Sequence, residues 1–141
     1  MRQNIKSLCL LTATALAMLT ACGPNETDPT EGSTPHEPTQ AEMLIGRWQL
    51  AEFDGQPVPA SLINIDEYRA DGMYLYTIDN YDYGTHIADS CLFEVESDSI
   101  RYLNPDGSNS AVRIEFLDSV TLLTSDEGAP YGPTTSEYVR L

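Results

Sequence analysis

The sequence predicts an all-β domain: an antiparallel up-and-down meander of seven or eight strands closing into a small barrel. Three observations carry this prediction. From residue 46 onward, β-type runs of about five to eight residues alternate with turn signals. Most of the intervening segments are short enough to be tight turns, which join antiparallel neighbours. No long helical period interrupts the series, and closing the sheet on itself removes exposed strand edges.

Residues 39–44 hold the one short helical candidate and lead into a first strand at Gly46–Phe53. Asp54-Gly55-Gln56 and the Pro57/Pro59 pair break that strand, because proline cannot donate to a ladder. Leu62–Tyr68 follows, closed by Asp71-Gly72, and residues 73–78 then run into Asn80-Tyr81-Asp82-Tyr83-Gly84. Residues 85–88 read as a short strand, 89–90 as a bend and 91–95 as a separate strand. Ser97-Asp98-Ser99 turns the chain into residues 100–103. Asn104-Pro105-Asp106-Gly107 is a strong turn, since Pro presets φ while Asp and Gly suit the positions after it. Val112, Ile114 and Phe116 alternate with Arg113 and Glu115, which predicts one buried face and one wet face. Asp118-Ser119 leads into 120–123, and after the 130–133 loop residues 136–141 close the chain. The inward set expected from this alternation is Trp48, Leu50, Tyr74, Tyr76, Phe93, Tyr102, Ile114, Phe116 and Leu122.

Ahead of the domain, residues 1–21 have the layout of a secretory signal: Arg2 and Lys6, a short apolar run, then small residues. The run is too short and too interrupted, by Thr12 and Thr14, for a membrane-spanning helix, which needs about 20 apolar residues. Residues 22–40 contain Pro24, Pro29, Pro35 and Pro38 among small, polar and acidic residues. Such a segment buries too little apolar surface to offset its chain entropy and is expected to be a disordered tether reaching about 25–50 Å. Residues 41–141 form the single candidate domain, at about 100 residues enough for one modest core.

After signal removal, five basic residues face 22 acidic ones, a formal charge of −17, and no lysine remains. A nucleic-acid binder carries the opposite footprint, and adhesion to anionic lipid head groups by charge is disfavoured for the same reason. The cysteines allow no disulfide within the mature chain, because Cys9 leaves with the signal and Cys22 has another role, so Cys91 stands alone. A lone buried cysteine behaves as a small hydrophobe, the role expected of Cys91.

Two resemblances refine these expectations. Leu19-Thr20-Ala21-Cys22 resembles the lipobox of bacterial lipoproteins, which implies that the Cys22 thiol takes a diacylglyceryl group before cleavage. Two or three chains at about 0.8 kcal/mol per buried methylene hold a protein on a membrane permanently. Gly23 stands where lipoproteins of the inner membrane often have aspartate, so the resemblance implies the outer membrane of the cell envelope. Glu26 and Asp28 are similar to acidic surface-export signals and equally fit an acidic tether.

The second resemblance lies in the domain. Leu44-Ile45-Gly46-Arg47-Trp48-Gln49-Leu50 resembles the G-x-W opening of lipocalin-like barrels. Tyr68-Arg69-Ala70-Asp71-Gly72-Met73-Tyr74, Val120-Thr121-Leu122-Leu123 and Tyr138-Val139-Arg140-Leu141 are similar to segments of small lipocalin-like bacterial lipoproteins. The resemblance implies structural roles for Gly46, Trp48 and Arg140: close backbone approach, a plug in the barrel floor, and a guanidinium stacked on the indole. The domain is shorter than secreted lipocalins and lacks their disulfides.

Tyr74 and Tyr76 share one face of a strand and, with Tyr102, are the candidate ligand contacts, since a phenol joins an apolar body to a polar tip. The same side chains suit plain sheet packing. Asp79, Asn80, Asp82 and Asp89 flank Gly84 but lack the alternating ligands and terminal glutamate of a calcium loop, so no metal site is assigned. No CxxC, HExxH, P-loop or G-x-S-x-G sequence occurs, and neither a catalytic constellation nor a cofactor is expected. The sequence therefore reads as a membrane-anchored, non-enzymatic binder of a small apolar or amphipathic molecule. The alternative is a filled barrel serving as an interaction module for another envelope protein.

Overall fold

The computed structural model describes residues 36–141. The expected export signal over 1–21, Cys22, and the tether as far as residue 35 lie outside the described residues. Structure begins at a capping box: Thr39 Oγ1 accepts from the Glu42 amide at 3.2 Å, and Glu42 Oε2 accepts from the Thr39 amide at 2.7 Å. This reciprocal pair starts the short helix α1, Gln40–Leu44.

Nine strands follow: β1 (Gly46–Phe53), β2 (Gln56–Pro57), β3 (Leu62–Tyr68), β4 (Met73–Asn80), β5 (Thr85–Glu96), β6 (Ser99–Leu103), β7 (Asn109–Leu117), β8 (Thr121–Asp126) and β9 (Thr134–Arg140). Every pairing is antiparallel, and β3 to β9 lie in sequence order after β1. A further ladder from Trp48↔Arg140 to Phe53↔Ser136 joins β1 to β9 and closes an eight-stranded up-and-down barrel. The small β2 is an addition to β1. Asp54 and Gly55, with φ of 50° and 69°, make a tight hairpin of the kind that needs two left-handed residues. The turn returns Gln56 and Pro57 to pair with Phe53 and Glu52, where an unbroken loop was expected.

Two strands differ from their expected form. Residues 85–96 form one strand, with no bend at Asp89-Ser90, because both residues are held in the ladder opposite Tyr76 and Leu75. Tertiary pairing here overrides the local turn preference of an Asp-Ser pair. In β7 the register slips between Ile114 and Phe116, so that Ile114 faces Thr124 while Phe116 faces Leu123. This bulge reverses the alternation. Phe116, expected inside, is 51% exposed, and Leu117 packs against the core instead.

The core is concentrated at one end. Leu44, Trp48, Tyr68, Phe93, Ile100, Ile114 and Leu122 form its buried cluster, and Trp48 is completely enclosed. This solid end fixes where space remains in the barrel.

Candidate functional site

Strand alternation sends Asn64, Asp66 and Tyr68 of β3, Tyr74, Tyr76 and Ile78 of β4, and Ser136 and Tyr138 of β9 to the inside of the barrel. With Tyr102, Val112, Cys91 and Thr124 from the remaining wall, they surround a cavity of about 400 Å³. Phe53, Asp126 and Thr134, at strand ends away from the Trp48 plug, also line it. The three tyrosines singled out from the sequence, Tyr74, Tyr76 and Tyr102, all stand in this wall.

The rings form a continuous aromatic surface. Tyr74 lies 4.7 Å from Tyr102, 5.0 Å from Tyr68 and 6.0 Å from Tyr76 between ring centroids, and Tyr68 meets Phe93 edge-on at 5.1 Å. Buried hydroxyls need partners. Tyr68 and Tyr102 supply each other, with their oxygens 2.7 Å apart. Burial drives the Tyr68, Tyr74, Tyr102 and Tyr138 phenols well above their ordinary range, so all four are neutral donors at physiological pH.

Asp66 is the residue that the sequence reading missed. It is 4% exposed and lines the cavity. Desolvation raises its carboxyl to about 6, while hydrogen bonds from the Tyr74 and Tyr138 hydroxyls pull the other way. Asn64, on the same strand face, has a buried Oδ1 with no partner among the described residues. The local pattern concealed both: in Leu62-Ile63-Asn64-Ile65-Asp66 the isoleucines alternate with the polar residues, which points the polar set toward water. Leu62 and Tyr68, which flank the polar pair on the same strand face, carry a signal for the opposite choice.

At the closed end, the Arg140 guanidinium carbon lies 4.2 Å from the Trp48 ring centroid. Arg140 donates through Nη1 to Ile45 O at 2.8 Å and through Nη2 to Met43 O, while Trp48 Nε1 donates to Leu44 O at 2.8 Å. These bonds satisfy carbonyls that the end of α1 would otherwise leave open. Gly46, at φ +142°, leaves the room this requires: a Cβ there would sit 2.5 Å from Arg140 Nη1.

Other candidates fall outside the cavity or lack partners. Cys91 is buried and lines it, and burial pushes its thiol up, the reverse of nucleophile activation. His86 stands five positions away on the same strand, hence on the opposite face, where Nδ1 lies 2.6 Å from Asp79 Oδ1. Asn80 Oδ1 accepts from the Asp82 and Tyr83 amides and is committed to its turn.

No family model matches the chain, and no curated protein matches its sequence. Solved structures do. A lipocalin-like protein from Bacteroides uniformis superimposes with a TM-score of 0.54 at 15% identity, covering 70% of this chain and 99% of the other. An uncharacterized protein from Bacteroides eggerthii gives 0.53 at 18% identity, with the same coverage. The fold is lipocalin-like.

Proposed function

We propose that this chain is a lipid-anchored protein of the cell envelope whose barrel holds one small apolar or amphipathic molecule. The observation that carries the reading is the cavity itself. Its volume of about 400 Å³ lies within the usual span of small-molecule sites, about 300–1,000 Å³. Its wall joins the aromatic rings of Phe53, Tyr68, Tyr74, Tyr76, Tyr102 and Tyr138 to polar side chains that can orient a ligand's polar end. A barrel serving only as an interaction module needs no such space, and an eight-stranded barrel can be filled by side chains alone. The anchor rests on the Leu19-Thr20-Ala21-Cys22 segment, and Gly23 after the cysteine favours the outer membrane, with the domain carried off the bilayer on the tether.

The role is binding rather than catalysis. The wall offers phenols, amides, hydroxyls and carboxyls, and its one thiol is held protonated by burial. Titration of the full chain, kept unlipidated by Cys22→Ser, with an environment-sensitive apolar dye is expected to brighten the dye saturably. Tyr76→Ala, which removes a wall ring stacked on Tyr74, is expected to weaken that binding several-fold. A dye signal that rises linearly without saturation, unchanged by Tyr76→Ala, would count against an internal site.

A further inference from the structure

We infer that the molecule held in the barrel carries a cationic amine head, seated against the Asp66 carboxylate with its apolar body along the tyrosine wall. The inference rests on the reading of the cavity as a ligand site and adds the chemistry of the head group. The cavity wall contains the carboxyls of Asp66 and Asp126, and none of its described lining residues is Lys, Arg or His. The cations nearest in sequence are engaged outside: Arg69 with Glu67 at 2.6 Å, Arg101 with Glu96 at 2.8 Å, and Arg113 with Asp98 at 3.0 Å. Arg140 is held on Trp48 and the carbonyls after α1.

An anionic head group would therefore enter a space whose fixed charges are all negative, and it would do so where water screens poorly. A neutral head would leave a desolvated carboxylate with phenol donors but no counter-charge. An ammonium supplies that counter-charge and up to three N–H donors. Asp66 accepts one, and the buried Asn64 Oδ1, which has no partner among the described residues, offers a second acceptor on the same strand face. The rings add a further element. Tyr74, Tyr76 and Tyr102 line the same space, and aromatic rings attract cations over their faces once water is excluded. A carboxylate beside clustered aromatic rings, with no competing base, is a recognition site for an alkyl or aryl ammonium.

The test is a matched trio of water-soluble probes, octylamine, octanol and octanoate, titrated calorimetrically at pH 7.5 into the full chain kept unlipidated by Cys22→Ser. At that pH an alkylamine is protonated, because alkylammonium groups titrate near the lysine value of about 10.4. Octylamine is expected to bind about tenfold or more tightly than octanol, with octanoate weakest. Asp66→Asn, similar in shape and still able to bond the tyrosines, is expected to remove most of the octylamine advantage while leaving octanol within about threefold. A circular dichroism spectrum unchanged from that of the parent protein establishes that the variant is folded. Octanol or octanoate binding as well as octylamine, or Asp66→Asn leaving the octylamine preference intact, overturns the amine assignment while the ligand site stands. Absence of binding by all three overturns both.

Discussion

Replacing Asp66 by asparagine is expected to make the protein more stable at neutral pH. The carboxyl is raised from an ordinary 3.8 to about 6, chiefly by burial, so the native state holds this proton more tightly than the unfolded chain does. Between those two values the native state binds more protons, and stability falls as the pH rises. At about 1.4 kcal/mol for each pH unit of the difference, the ionised carboxylate costs about 3 kcal/mol at pH 7.5 and about half of that at pH 5. Asparagine removes the charge and can keep the tyrosine hydrogen bonds, so a gain of about 1–3 kcal/mol is expected at pH 7.5. For a domain of about 100 residues this corresponds to a melting point higher by roughly 5–15 °C. Trp48, the only tryptophan, reports unfolding directly in denaturant titrations of both proteins at pH 7.5 and pH 5. Subtracting the two curves removes the opposite contributions of Asp106 and Asp118, whose carboxyls hydrogen bonds hold below their usual range. Equal stability at pH 7.5, or a gain that fails to shrink toward pH 5, would refute the reasoning. A positive result would identify Asp66 as a group that weakens the fold, which fits a site kept for binding.

Further expectations concern the plug, the bulge and the anchor. Gly46→Ala should destabilise the domain by about 2–4 kcal/mol and shift Trp48 emission, because the new methyl displaces Arg140 and the backbone sits where only glycine is comfortable. Combined with Arg140→Ala the loss should be clearly less than the sum, and strict additivity would show that the two do not act on one contact. Phe116→Ser, on the exposed side of the bulge, should change stability by less than about 1 kcal/mol, whereas Leu122→Ala in the core should cost about 2–5 kcal/mol. Similar losses at both positions would contradict the slipped register. Cys22→Ser should abolish metabolic labelling by a fatty acid and release the protein from membranes, and label retained on the variant would exclude lipidation at this cysteine.

Much of the barrel was legible in the sequence because strand rhythm and turn chemistry are local. Gly46–Phe53 and Leu62–Tyr68 stand within the bounds that their turn residues imply, and the remaining strands lie within a few residues of expectation except where β5 runs on. The order of the strands followed from short connections, which leave antiparallel neighbours little choice. The tyrosine face of β4 was legible for the same reason: Tyr74, Tyr76 and Ile78 alternate without interruption. What the tertiary structure decided is which face of the less regular strands turns inward. Asp66 reads as a solvent residue after the Ile63-Asn64-Ile65 alternation, yet its strand is locked by Gly46↔Tyr68 and Tyr68↔Tyr74 pairing, and that register carries the carboxyl into the barrel. Phe116 reads as core, yet one bulged residue turns it to water. Alternation along a strand has a period of two and no absolute phase. That phase is supplied by the partners on either side and by the closure of β1 on β9, and with it come the cavity and the one buried charge inside it.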